Sequence, residues 1–285
     1  MENHRTDHVE VVPPLFLGGP HKVSVTLIGA GGTGSHLLDG LAQLDRTIRL
    51  LGHNGLFVTV YDDDVVEPHN IGRQAFGFND LGENKAHALI ARVNRMWHTR
   101  WMASSNRFNP PDESAGMLGN IILTAVDHNA TRNRIHELFR SGFSRPDLEV
   151  QQEHEEMLRT HYWVDVGNEK DFGQIVLGGK YLPDCVEVKQ ANTGSVYDEQ
   201  DAGGPSCSAQ ESLAQQDLFI NRIMAAHALD MIWNIFRKGV ILRSAIYVNI
   251  NQQTYSVRAT KTTNNGTQKN VHEARKRTAR VRRSK

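Results

Sequence analysis

The stretch Gly29-Ala30-Gly31-Gly32-Thr33-Gly34-Ser35 stands between two apolar segments. Before it comes a β-branched run, Val23, Val25, Leu27 and Ile28; after it Leu37, Leu38, Leu41 and Leu44 recur at helical spacing. Strand, tight glycine turn and helix, in that order, are the first half of a βαβ unit, and this commits the chain to a parallel-rich sheet. In such a turn Gly29 permits the sharp reversal, Gly31 lets backbone approach a ligand with no Cβ in the way, and Gly34 lets helix and strand pack closely; Gly32 and Ser35 complete the cradle. Bare N–H groups and the positive end of the helix dipole then face an anion. A lone glycine fingerprint also fits an ordinary turn, so the residues behind it must specify the ligand.

The second strand, Phe57 to Tyr61, ends in Asp62-Asp63-Asp64. An acid at that strand end commonly accepts hydrogen bonds from ribose hydroxyls, and Asp62, with Asp64 behind it, holds the position. The interval from the glycines exceeds the usual roughly 20 residues; an inserted turn at Gly52-His53-Asn54-Gly55 accounts for the excess. Beyond Pro68, a loop carries Asn70, Arg73 and Gln74, and Lys85 opens a helix through Ala88, Leu89, Val93 and Met96. Arginine offers a planar fork to phosphate oxygens and lysine a movable point charge, so the pair suits a chain of phosphates. Hydride transfer has little use for it. The strand from Ile121 to Val126 ends at Asp127, placed at the carboxyl edge of the sheet where open α/β folds bind ligands. A carboxylate there suits Mg²⁺, which takes oxygen ligands and keeps several waters, and it equally suits the cap of a helix beginning near Ala130.

Taken in order, the glycine loop, Asp62-x-Asp64, Asn70-x-x-Arg73-Gln74, Lys85 and the strand ending at Asp127 resemble the adenylating domain of the ThiF, MoeB and HesA family, relatives of ubiquitin-activating enzymes. The resemblance spans most of residues 23 to 140 and resumes more loosely to about residue 250. It implies a Rossmann-like α/β fold, a mostly parallel sheet with helices on both faces, that binds ATP and adenylates the C-terminal carboxylate of a small ubiquitin-like or sulfur-carrier protein. It further implies that Asp62 holds the ribose, that Asn70, Arg73 and Lys85 contact the phosphates, that Asp127 coordinates Mg²⁺, and that the enzyme is a homodimer. More narrowly, Pro205-Ser206-Cys207-Ser208 followed by Gln216 to Asn221 is similar to the ThiF proteins of the plasmid-associated PRTRC cassette. Related enzymes reach across the dimer with an N-terminal arginine; Arg5 is the one arginine before the glycine loop, and its surroundings do not match that motif.

The two cysteines, Cys185 and Cys207, cannot build the four-thiolate zinc site of many relatives, so structural zinc is not expected. Cys207 precedes a long helix, where relatives often carry an acceptor thiol. A helix N-terminus there would lower its pKa, although free cysteines are commonly idle or simply buried. No histidine pair matches a helix-borne zinc motif. The reading is therefore one ATP-binding domain over 23–258, preceded by an extension over 1–22. It contains a polar crossover loop at about 184–215, a long helix from Gln216 to Arg237 and closing antiparallel strands. A basic tail over 259–285 follows, expected to be disordered. That tail carries Arg275-Lys276-Arg277, Arg280, Arg282, Arg283 and Lys285 in a chain of zero formal net charge, which leaves nucleic-acid contact open. No apolar run approaches the roughly 20 residues that span a bilayer, and two cysteines make no disulfide framework, so a cytoplasmic protein without membrane contact is expected. Two other functions fit parts of the pattern. An NAD-dependent oxidoreductase would use Asp62 but leave Arg73, Lys85 and Asp127 unexplained, and a nucleotide-binding adaptor would bind ATP without turnover.

Overall fold

A computed structural model describes residues 10–18, 20–108, 118–127, 129–140, 160–179 and 217–259. In chain order the regular elements begin with β1 (Glu10–Val11), β2 (Val23–Ile28), α1 (Gly32–Leu50), β3 (Leu56–Tyr61), α2 (Lys85–Trp97) and β4 (Met102–Ser104). There follow β5 (Ile121–Thr124), α3 (Asn129–Arg140), β6 (Tyr162–Asn168) and β7 (Phe172–Gly179). Last come α4 (Ile220–Lys238), β8 (Val240–Ile241), β9 (Arg243–Asn249) and β10 (Thr254–Ala259). Eight strands form one sheet in the order β10-β9-β7-β6-β5-β2-β3-β4. From β4 to β6 every pairing is parallel, whereas β7, β9 and β10 close the other side antiparallel. The fold is thus the Rossmann-like α/β domain with C-terminal antiparallel strands that the sequence implied.

The period-two alternation of the strands sorts side chains onto two faces. Val23, Val25 and Leu27 of β2, Ile121 and Leu123 of β5, and Val164 and Val166 of β6 share one core with the apolar stripes of α1, α2 and α4. Ile28, Ile122, Trp163, Val176 and Ala245 face the opposite side, where Ile135 of α3 covers them. Central strands are therefore covered on both faces, which is why they read as nearly continuous apolar runs. α1 packs chiefly against α4, closely enough that a Cβ at Gly40 would come 2.1 Å from Leu229 Cδ1. Two short segments escaped the periodicity. β4 is too brief to show a period, and β1 pairs with β8 and leads into Phe16, which is fully buried in the main core.

From β2 the chain passes to β3 on one side, and β5 lies on the other, so a crevice opens at the carboxyl ends of these strands. Gly52 and Gly55 both adopt positive φ, as the inserted turn before β3 requires. No helix among the described residues is long and apolar enough to cross a membrane. Arg5, Cys185, Cys207, the segment 184–215 and the basic tail beyond residue 259 lie outside the described residues.

Candidate active site

The glycine loop caps the crevice, and its glycines serve different ends. Gly29 has φ +91°, and a Cβ on it would come 2.6 Å from the Ala125 carbonyl oxygen, so the turn needs glycine on two counts. At Gly34 a Cβ would fall 1.9 Å from the Gly29 carbonyl oxygen; this residue lets α1 start directly against the turn. Nothing lies within 4 Å of a Cβ at Gly31, which lines the cleft, so that is where backbone stays bare toward a ligand. Ser35 departs from the cradle role expected of it. Its side chain is buried, donates to the Gly32 carbonyl at 2.9 Å and accepts from Ala75 N–H at 3.0 Å. Neither Ser35 nor Gly34 lines the cleft.

A cleft of about 1170 Å³ brings together Gly29, Gly31, Gly32, Asp62, Asp64, Asn70, Arg73, Gln74, Lys85 and Asp127. Asp62, at the end of β3, accepts from Ala30 N–H at 2.5 Å and from Asp64 N–H at 3.0 Å, which ties the acid to the glycine loop. Burial pushes its carboxyl above the ordinary range, against the opposing pull of those N–H groups and of Lys85. Lys85 is buried and its ammonium sits 2.7 Å from Asp64 Oδ2, while Asp64 itself is exposed. Asn84 sets this geometry. It caps α2 by accepting from His87 N–H at 3.1 Å, and its amide donates to the carbonyls of Asp62 and Asp64 at 2.8 and 3.0 Å. An asparagine directly before a helical run is a cap signal that would have found it.

The loop bearing Arg73 is pinned from both sides. Asn70 is buried, accepts from Glu67 N–H through its side chain at 2.9 Å and from Gln74 N–H through its carbonyl at 2.9 Å. Ser35 holds Ala75 from α1, and Arg92 of α2 donates to the Ala75 carbonyl and to Asp80 Oδ2 at 3.0 Å. Beneath the loop, burial and the nearby Arg222 push the His36 imidazole below its ordinary range despite a hydrogen bond to the Arg73 backbone. Gln74 Oε1 is buried with no hydrogen-bond partner among the described residues. Such an orphaned acceptor fits a site completed by a ligand hydroxyl or a cation-bound water. Asp127, exposed at the end of the β5 run, offers hard carboxylate oxygens, and no group of three acidic, histidine or cysteine side chains among the described residues could hold a cation by itself. A Mg²⁺ ion fits here only when shared between Asp127 and a ligand's phosphates, which is its usual habit.

Two side-chain clusters on the other flank escaped sequence reasoning. Thr33 Oγ1 lies 2.8 Å from Asn168 Oδ1 and 3.1 Å from Asn221 Oδ1, and Asn168 Nδ2 donates to Asn221 Oδ1 at 3.2 Å. A Cβ at Gly32 would come 2.5 Å from Asn221 Oδ1, so this glycine makes room for α4 as well as for a ligand. Arg132, in the first turns of α3, donates through Nε to the fully buried Asp165 at 2.9 Å. Nothing in the sequence pairs Asn221 with the loop, but a lone aspartate within the apolar strand Tyr162 to Val166 signals a buried carboxylate in need of a donor.

Residues 19–142 match the ThiF family. The ThiF-matching segment thus contains the glycine loop, Asp62, Arg73, Lys85, Asp127 and Arg132. No curated protein matches the chain. Among solved structures, Escherichia coli MccB with ATP shares 14% identity at a TM-score of 0.51, over 86% of this chain and 66% of that one. The Microcin C7 biosynthetic enzyme MccB in complex with N-formylated MccA shares 15% at 0.56, over 86% and 67%. PaaA shares 14% at 0.55, over 85% and 65%. The chain therefore spans about two thirds of the length of these structures, and at such identity the likeness is one of fold.

Proposed function

We propose that the protein is an ATP-dependent adenylyltransferase that activates the C-terminal carboxylate of a small ubiquitin-like or sulfur-carrier protein and releases pyrophosphate. The observation that carries this reading is the grouping, around a ThiF-type glycine loop, of a ribose-type acid, Asp62, with two phosphate-type cations, Arg73 and Lys85, in one cleft. At about 1170 Å³ the cleft exceeds the roughly 300–1,000 Å³ typical of small-ligand sites, which suits two substrates side by side. MccB, which shares the fold, has been solved both with ATP and with MccA.

In this reaction a carboxylate oxygen attacks the α-phosphorus of ATP. One P–O bond forms, the bond to the bridging oxygen breaks, and pyrophosphate leaves with that electron pair. No general base is needed, since a C-terminus with a pKa of about 3.5 is already ionised at neutral pH. Positioning and charge compensation carry the catalysis. Asp62 fixes the ribose, the bare backbone at Gly31 admits the phosphates, and Arg73 and Lys85 offset the charge that gathers on the leaving group. For Lys85 to reach a phosphate it exchanges Asp64 for it. Mg²⁺, held by Asp127 and the phosphates, would lower the repulsion between two anionic reactants. Transfer of the activated acyl group to a thiol would fall to Cys207.

Carrier-dependent exchange of labelled pyrophosphate into ATP tests the proposal. Exchange is expected with a cognate carrier and is abolished by Arg73→Ala or Asp127→Ala. Tight ATP binding without exchange for any carrier would favour the adaptor reading, and preferential binding of NADH would sink adenylation altogether. A carrier adduct cleaved by reductant and missing in Cys207→Ala would establish the thioester step.

A further inference from the structure

Arg73 and Lys85 follow β3, on one side of the glycine loop. Arg132 stands on the other side, carried by α3 between the ends of β5 and β6. It lines the same cleft, and with Asp127 and Glu169 lining that flank it is the one cation the described residues place there. Asp165 is fully buried and takes two donors on one oxygen, Arg132 Nε at 2.9 Å and the Thr124 hydroxyl at 2.5 Å; Trp163 Nε1 in turn donates to Thr124 Oγ1 at 2.9 Å. A buried ion pair is poor evidence of a stabilising device, because desolvation consumes most of its attraction, yet it fixes a guanidinium in one orientation. The strand end opposite is Gly167, where an added Cβ would stand 3.5 Å from Arg132 Nη2, so the outer end of the guanidinium meets bare backbone rather than a side chain.

We propose that Arg132 is the docking residue for the acceptor carboxylate, and that Asp165 is the positioning residue that aims it. The proposal rests on the adenylation reading and deepens it by assigning the two anions of the reaction to opposite flanks. The triphosphate belongs to the Arg73 and Lys85 side; the incoming carboxylate, which must pass Asp127 and Glu169, belongs to Arg132. A guanidinium already oriented loses little freedom on binding an oxyanion, and it holds the nucleophile in line without taking its electron pair.

The test uses the full chain saturated with a non-hydrolysable ATP analogue and measures binding of N-acetylglycine against N-acetylglycinamide, the smallest peptide-like pair differing in the carboxylate. Wild type is expected to prefer the acid at least tenfold. Arg132→Ala removes the preference, methylguanidinium restores part of it, and Arg132→Lys, the variant to use if alanine fails to fold, keeps only a fraction. Asp165→Asn lowers the preference about tenfold, while affinity for the ATP analogue stays within about threefold in every variant. An unchanged acid preference in the Arg132 variants, no preference in wild type, or a loss of nucleotide affinity instead would overturn the assignment, the last by giving Arg132 to a phosphate. An Arg132-dependent preference in a protein that never exchanges pyrophosphate would uphold the docking residue and defeat adenylation. Exchange that survives with the preference untouched would do the reverse.

Discussion

Asp62 carries its two backbone N–H partners in a setting that pushes its pKa up, and that combination makes its behaviour measurable. The folded protein keeps the Asp62 proton to a higher pH than the unfolded chain does. Between the ordinary value of 3.8 and the raised one it binds more protons, so this residue's contribution to stability falls as pH rises through that window. Nucleotide binding runs the opposite way, because only the ionised carboxylate accepts freely from ribose hydroxyls. ATP affinity should weaken as pH falls through the raised pKa, and Asp62→Asn should flatten that dependence while weakening ATP at neutral pH by about tenfold, near the ~1.5 kcal/mol lower bound for a hydrogen bond to a charged group. Calorimetric titration from pH 4 to 8 reads both. An unaltered pH profile in Asp62→Asn would assign the dependence to another group, with His36 under the Arg73 loop the next to try.

At the level of elements, the turn into α1 separates residues that build the cradle from those that face the ligand. Gly34→Ala would drive a Cβ into the Gly29 carbonyl, backbone against backbone, and should lower unfolding stability by about 3 kcal/mol. Gly31→Ala meets open space and should cost less than about 1 kcal/mol, yet place a methyl where phosphate approaches. Denaturant midpoints paired with ATP affinities distinguish the two, and equal stability losses would refute the division. Ser35→Ala should cost about 1–2 kcal/mol, because it leaves Ala75 N–H without its acceptor, and should raise the Kd for ATP by freeing the Arg73 loop from α1. Strand, turn, helix and the order of Asp62, Arg73 and Lys85 were legible because each depends on local periodicity and spacing. Ser35 was misread as part of the cradle because a loop residue's partner forty positions away leaves no local trace. The meeting of Asn221 with Gly32 is likewise a product of how α4 lies on α1, visible only once both helices are placed.

For the molecule as a whole, the ThiF-matching segment holds the glycine loop, Asp62, Arg73, Lys85 and Asp127, but it is not a folding unit in this architecture. β2 and β5 are central strands only because β6 and the antiparallel strands continue the sheet, and the apolar face of α1 is covered by α4. Cutting at residue 142 would expose the edge of β5 and the α4-facing stripe of α1, and would strip Thr33 and Arg132 of Asn168, Asn221 and Asp165. A central strand turned into an apolar edge invites aggregation, and Arg132 would lose the buried carboxylate that orients it. A fragment spanning residues 19–142 should therefore show no cooperative thermal transition and no measurable ATP binding. The full chain should unfold in one transition raised by ATP, by about 2.7 kcal/mol at a hundredfold excess over Kd. Circular dichroism melts of the fragment and the full chain, each with and without nucleotide, decide the matter. A folded, ATP-binding fragment would mean that the parallel half is self-sufficient and that α4, with Asn221, serves the acceptor rather than the nucleotide.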